Sequence, residues 1–409
     1  MTKSKNKTNR VIRNLLLLIL FLIIAIAAAL AYSYKSAKDS LSVTFTDDTP
    51  VIEVGGDYRA MDYIRESEGE VTPASAMLDA DTTGDKTIVY TVTKPIFGGL
   101  LVPEQDFTLN YEVVDTAEPL ILWSGDGTVL ERGTEFDINN VIGYGDNADP
   151  APSVDVKGKV DMDTNGAYPL HVAVTDASGN KTEWDLTVWV TDDPPVYQDT
   201  FERLGFGDFA ASYAGNGKSF GIDVSEWQGD IDFEAVKAAG CEFAMIRIGY
   251  SVDGVITEDS KFSQNLKNAK DAGLNVGLYL YSYDNTKEKA RASADRVIEM
   301  LGGESLDLPI AFDWEDFTRF QTYEMSFNDL NGLYDVFEET VNAAGYDCML
   351  YGSQTYLENV WEDTDTRPVW LAQYTDKTEY AGPQIMWQKG SNGRINGIEG
   401  DVDLDILYQ

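Results

Sequence analysis

Histidine is almost absent: His171 is the single one in 409 residues. With no imidazole after it, Ser-His-Asp, Cys-His and His-ligated zinc chemistry are excluded from the C-terminal half. His171 lies in the alternating run Leu170-His171-Val172-Ala173-Val174 and reads as a satisfied strand histidine. Cysteine is nearly as scarce. Cys241 and Cys348 each open an apolar run, and no C-x-x-C exists, so both read as small buried hydrophobes rather than a disulfide framework. Basic residues are few, 31 against 69 acidic ones, for a net charge of -38. Such a surface repels phosphates, which excludes nucleic-acid binding, and it keeps an exposed protein soluble. The first 34 residues contain no acid, only Lys3, Lys5, Lys7, Arg10 and Arg13.

What is present begins with an unbroken apolar run from Leu15 to Tyr32, about 18 residues, long enough to span a bilayer as a helix. The basic N-terminal flank keeps that end cytoplasmic and exports everything after Lys35. A cleaved signal peptide is the competing reading, since Ala27-Ala28-Ala29 and Ala29-Leu30-Ala31 offer small residues to a peptidase. The length of the run favours an uncleaved anchor. The expected localisation is a bacterial cell membrane, single-pass with the C-terminal part extracellular, or secreted if the segment is cut.

Residues 41–193 alternate short β-branched and aromatic runs with Gly, Asp, Asn and Pro turns, the pattern of an all-β sandwich. Pro50-Val51-Ile52-Glu53-Val54-Gly55-Gly56-Asp57 aligns with Pro119-Leu120-Ile121-Leu122-Trp123-Ser124-Gly125-Asp126, an internal repeat that suits one small sandwich per copy. Both copies resemble the immunoglobulin-like modules of bacterial surface proteins, which are usually spacers. Asp192-Asp193-Pro194-Pro195 ends the strand pattern, and the Gly-rich stretch to about residue 217 reads as a linker. Beyond it, apolar strands alternate with amphipathic stretches such as Phe262 to Ala272 and Thr286 to Met300. The strands are Phe220–Val224, Phe243–Tyr250, Val276–Tyr283, Leu308–Trp314, Cys348–Tyr351, Val369–Tyr374, Ile385–Gln388 and Val402–Leu407. That pattern predicts a compact β/α barrel of TIM-like type. The expected organisation is a cytoplasmic tail (1–13), a transmembrane helix (14–33), two all-β immunoglobulin-like domains (41–115 and 116–193), a linker (194–217) and the barrel (218–409).

Pro309-Ile310-Ala311-Phe312-Asp313-Trp314-Glu315-Asp316 carries the chemistry. Alternate strand side chains share a face, so Asp313 and Glu315 point the same way at a strand end. Two such carboxyls suit glycoside hydrolysis, one as acid to the leaving oxygen and one as anion beside developing positive charge. Asp223 and Asp403 also adjoin strand ends.

The run Gly221-Ile222-Asp223-Val224-Ser225-Glu226-Trp227-Gln228-Gly229, followed by Ile231-Asp232-Phe233 and Val236-Lys237, resembles the opening of the family 25 glycoside hydrolases, the N,O-diacetylmuramidase lysozymes. Asp259, Phe262, Asn265, Ala269 and Gly273 are similar to that family's D-x-x-F-x-x-N-x-x-x-A-x-x-x-G helix. Val276–Tyr279, Pro309–Glu315, Trp370–Tyr374, Trp387-Gln388 and Gly397–Leu407 follow its later segments, over residues 219–409. Two positions depart: Asp405 stands where the family often has Asn, and Trp314 separates the acids where a small aliphatic is common. Trp314 is expected to face away from the cleft under a helix.

The resemblance implies a wall hydrolase that cleaves the β-1,4 bond between N-acetylmuramic acid and N-acetylglucosamine, with no metal and no organic cofactor. Glu315 would be the general acid, with a raised pKa. Asp313 would stay ionised and steady the oxocarbenium or oxazolinium-like state, while Asp223 and Asp403 line the same mouth. Tyr279, Tyr281, Tyr283, Tyr351, Tyr374 and Trp387 are candidate sugar platforms, since aromatic faces bind sugar rings. Arg247 either pairs with a carboxylate or snorkels. The implied partners are peptidoglycan glycan strands and, through residues 14–33, a lipid bilayer. Two rival readings stand: a non-catalytic wall-binding lectin, and a surface scaffold or adhesin in which 41–193 binds a cell-surface protein.

Overall fold

The structure, a computed structural model, describes residues 2–196 and 202–408. The chain folds as two compact units, Met1–Thr116 and Ala117–Gln409.

In the first unit a helix runs over Thr2–Asp39. From Lys7 to Asp39 it is long and apolar enough to cross a membrane, and none of its most apolar window is buried in protein. Beyond it, Gly84–Thr93 and Glu104–Val114 pair antiparallel, flanked by Val51–Glu53 and Glu70–Pro73. Strand parity sends Ile88, Tyr90, Val92, Leu109, Tyr111 and Val113 into one core. A separate pair, Val43–Phe45 with Ile64–Ser67, brings Phe45 to within 5.3 Å of the Tyr90 ring.

The second unit begins with another β module. Ser153–Lys157, Gly166–Thr175, Lys181–Thr191 and Val129–Glu131 form one sheet, and Leu120–Ser124 pairs with Ile142–Gly145 in a second. The turn at its tip is an Asx turn: the Asp176 carboxylate accepts the Gly179 and Asn180 backbone N–H groups at 2.6 and 2.8 Å. His171 faces Asp185 across the sheet, with Nδ1 2.8 Å from Oδ1.

The remainder closes a ring of eight strands: β1 (Lys218–Val224), β2 (Phe243–Val252), β3 (Asn275–Ser282), β4 (Ile310–Asp313), β5 (Cys348–Ser353), β6 (Val369–Ala372), β7 (Met386–Arg394) and β8 (Val402–Tyr408). All eight expected strands are present. Both faces of each are covered, so the strands read as continuous apolar runs. Outward side chains such as Ile222, Ile246, Leu278, Phe312 and Leu350 pack beneath helices. Inward ones, among them Phe243, Met245, Ala311, Met349, Trp370 and Met386, fill the interior. Helices Phe262–Asp271 and Lys287–Leu301 fall where periodicity puts them, the second capped by Thr286 Oγ1 accepting from Lys289 N. Cys241 and Cys348 are free and buried.

The TIM-like expectation needs correction. β1 to β7 run parallel, but β8 runs antiparallel to both β7 and β1. Among the described residues, no helix separates β6 from β7 or β7 from β8. The result is a distorted barrel whose last strand starts at the rim where the others end and runs back from it. The linker expectation also changes. Residues 197–201 lie outside the described residues, but Leu204–Gly205 pairs with β7 and Phe206–Tyr213 is a helix. Its Phe206 and Phe209 are buried, with Phe209 edge-on to Phe220 at 5.5 Å. Leu204, Ala210 and Tyr213 pack on the same core, and Arg203 pairs with Asp401.

Candidate active site

Parity aims one carboxyl set at the inner mouth of the ring. Asp223 is the penultimate residue of β1, Asp313 ends β4, and Glu315 follows two residues later. Because β8 is reversed, Asp403 near its start pairs in register with Asp223. Asp405 lies one inward step deeper, in register with Gly221 on one side and Gln388 on the other. Asp223, Asp313 and Asp405 are buried, and Asp403 is half-buried. Glu315 opens to a cavity of about 390 Å³, walled by Phe317, Tyr351, Gly352, Ser353, Tyr356, Ala372 and Tyr374 over Trp314.

Two carboxyl pairs result. Asp223 and Asp405 lie within hydrogen-bond reach of each other, and so do Asp313 and Glu315. Burial, then the neighbouring Asp405 charge, pushes the Asp223 carboxyl well above the usual range. Burial, then Asp403, does the same to Asp405. Asp403 is pushed up to about 9, by burial first and Asp223 second. Asp313 is raised well above its ordinary value by burial and by Glu315. Glu315 is exposed as a residue, yet protein crowds its carboxyl, and that desolvation raises its pKa against opposing hydrogen bonds with Asp313 and Tyr351. Among the described residues, no donor group is aimed at Asp313 Oδ1 or Asp405 Oδ2, although both are buried. A carboxyl that keeps its own proton toward a second carboxyl satisfies such an oxygen; a lone anion does not. The upward shift expected for Glu315 is found, and Asp313, expected to stay ionised, is pushed upward as well.

One amide joins the two pairs. Gln388 Nε2 donates to Asp223 Oδ2 at 2.8 Å, while its Oε1 accepts from Tyr351 Oη at 2.9 Å and Tyr374 Oη at 2.8 Å. Trp370 Nε1 donates to Asp405 Oδ1 at 2.9 Å. Gln388, Asp405 and Trp370 lie outside the candidate set read from sequence. Parity held the signal, because Gln388 alternates with Trp387, and only one of the two can face inward.

It is Trp387 that faces outward. Its ring packs edge-on to Tyr213 at 5.5 Å and its Nε1 donates to Gln373 O, so it belongs to the barrel's outer layer rather than the sugar platforms. Tyr351 and Tyr374 line the cavity. Tyr281 and Tyr283 are half-buried, with rings 5.1 Å apart, and Tyr281 is in register with Asp313. Tyr279 lies deeper, edge-on to Trp370 at 5.9 Å. Arg247 is committed elsewhere: Nε donates to Asp259 Oδ2 at 2.8 Å and Nη2 to Glu226 Oε1 at 3.1 Å. Its charge still lowers the pKa of Asp313. Trp314 is buried, donates to Asp284 O at 3.1 Å, and packs under the 3₁₀ segment Phe317–Tyr323.

Residues 222–398 match the family described as glycosyl hydrolases family 25, and residues 122–190 match the bacterial surface protein, Ig-like domain. The autolytic lysozyme of Clostridium acetobutylicum is 30% identical over 189 residues, and lysozyme M1 of Streptomyces globisporus is 31% identical over 196. Each alignment takes in 45% of this chain, and 54% and 65% of those proteins respectively. The crystal structure of the bacterial lysozyme from Streptomyces coelicolor is 26% identical, covering 47% of this chain and 92% of that one, with a TM-score of 0.40. The chain carries a family 25 glycosyl hydrolase domain behind a bacterial-surface Ig-like domain.

Proposed function

We propose that the protein is a muramidase that hydrolyses the β-1,4 bond between N-acetylmuramic acid and N-acetylglucosamine in peptidoglycan. The observation that carries this reading is Glu315 opening to an aromatic-walled cavity, with the buried Asp313 carboxyl within hydrogen-bond reach of it. Glu315, the member open to the cavity, protonates the leaving glycosidic oxygen. Loss of that proton leaves two anionic oxygens facing a positively charged anomeric centre, which is where Asp313 acts. Tyr351, its hydroxyl donated to Gln388, stands beside Glu315 in the cavity wall. Asp223 and Asp403 hold sugar hydroxyls at the rim. The apolar helix Lys7–Asp39 anchors the exported part in a bacterial membrane, oriented by the basic residues that precede the apolar run.

Glu315→Gln keeps size and hydrogen bonding but removes the transferable proton. It should abolish the release of muropeptides from purified wall with thermal unfolding unchanged. Mass spectrometry of products from the unaltered protein should show muramic acid at the new reducing ends. N-acetylglucosamine there would refute the bond assignment, and full activity in Glu315→Gln would refute the acid.

A further inference from the structure

The second β module packs behind the wall of the cavity. Phe317–Tyr323 begins two residues after Glu315 and leads into helix Phe327–Ala343. One side of it packs on the barrel: Phe317 and Phe320 lie 5.0 and 5.6 Å from Trp314, and Phe317 stacks on Tyr356. The other side meets the module strand Ile142-Gly143-Tyr144-Gly145. Ile142 and Tyr144 point into the module's own core. Their alternates are bare backbone. A Cβ on Gly143 would collide with Phe317 O, and one on Gly145 would sit 2.6 Å from the rings of Phe320 and Phe327. Gln321 stitches the two together: Nε2 donates to Ile142 O at 3.1 Å, and Oε1 accepts from Tyr144 N at 3.3 Å. Farther along, Phe327 N donates to Asp146 O at 2.8 Å, and Tyr356 Oη donates to Leu122 O at 3.2 Å.

Phe317 and Tyr356 are both cavity walls beside Glu315, and the module touches both residues or their neighbours. We infer that the Ig-like module, through Ile142–Gly145 and the positioning residue Gln321, holds the buried Phe317, and through its stacking the partly exposed Tyr356, in the geometry in which the cavity wall receives a sugar ring. Its role is therefore not that of a spacer alone, and the inference rests on the muramidase reading for the identity of the ligand. A short 3₁₀ segment has too few internal hydrogen bonds to hold its own shape. The module supplies the missing partners.

The test uses the full chain with Gln321→Ala, a mild truncation, and Gly143→Val, a steric wedge. Amide hydrogen exchange should show residues 317–326 losing protection in both variants, while β2 to β5 keep theirs. For wall hydrolysis, KM should rise about tenfold with kcat nearly unchanged and the pH profile unmoved, as expected when binding geometry rather than proton transfer is lost. Trp189→Ser, on the module's exposed face, should change none of these. Undisturbed exchange at 317–326 in both variants would overturn the inference, as would a fall in kcat alone. If the unaltered protein released no reducing ends, the muramidase reading would fail, and the exchange experiment would still decide whether the module orders the segment.

Discussion

Asp405→Asn exchanges the deepest acid of the site for the neutral amide of the same shape. In the native protein the Asp223–Asp405 pair is buried and hydrogen-bonded through a proton that the unfolded chain would release above pH 4. Both carboxyl pKa values are raised in the folded state, so their contribution to stability is complete below the unfolded pKa of about 4 and is lost as pH rises toward the folded values. Holding one extra proton costs about 1.4 kcal/mol per pH unit, so three units to pH 7 amount to roughly 4 kcal/mol, an upper bound before the site relaxes. In the variant, the amide oxygen would accept from Trp370 Nε1 as the Asp405 carboxyl does. The amide nitrogen would donate to Asp223, which then has two donors with Gln388 and ionises at lower pH. The variant should equal the native protein near pH 4 and exceed it by roughly 2 to 4 kcal/mol at pH 7, measured as barrel unfolding in urea followed by tryptophan fluorescence from pH 4 to 8. A difference independent of pH, or a variant less stable at pH 7, would refute the shared proton.

Gln388→Leu removes the donor on Asp223 and the acceptor for two tyrosine hydroxyls; we expect a loss of about 1 to 3 kcal/mol in thermal or urea unfolding and a decline of stability that continues to higher pH, because Asp223 then holds its proton more tightly. Arg247→Met leaves Asp259, whose side chain is fully buried, without its cation, and should cost about 3 to 5 kcal/mol in the same measurement. Because the Arg247 charge lowers the Asp313 pKa, the acidic limb of the wall-hydrolysis pH profile should also move to higher pH in that variant.

Much of this was legible along the chain. Eight apolar runs located eight strands, since a strand covered on both faces has few ways to hide its composition. Period-two parity placed Asp313 and Glu315 on one face and kept Trp314 off it. What was not legible depended on pairings between distant segments. The reversed direction of β8 sets Asp405 beside Gln388, and nothing local to either residue encodes it. Trp387 looked like a sugar platform because aromatic content is visible in a sequence while inward or outward facing depends on register. The helix Phe206–Tyr213 was hidden in a Gly-rich stretch because its periodicity is too short to read. The role of Gly143 and Gly145 was equally hidden, because their lack of a side chain serves close approach to a distant segment, not unusual backbone angles.

The reversed β8 has a consequence for the order in which the site can come into being. Residues 402–408 bond to β7 on one side and to β1, some 180 positions earlier, on the other. A nascent or partly emerged chain that ends short of them has two unsealed sheet margins and only three of its five mouth carboxyls. Asp403 and Asp405 therefore join the mouth only once β8 lies between β7 and β1, so assembly of the site waits on pairing between segments far apart in the chain.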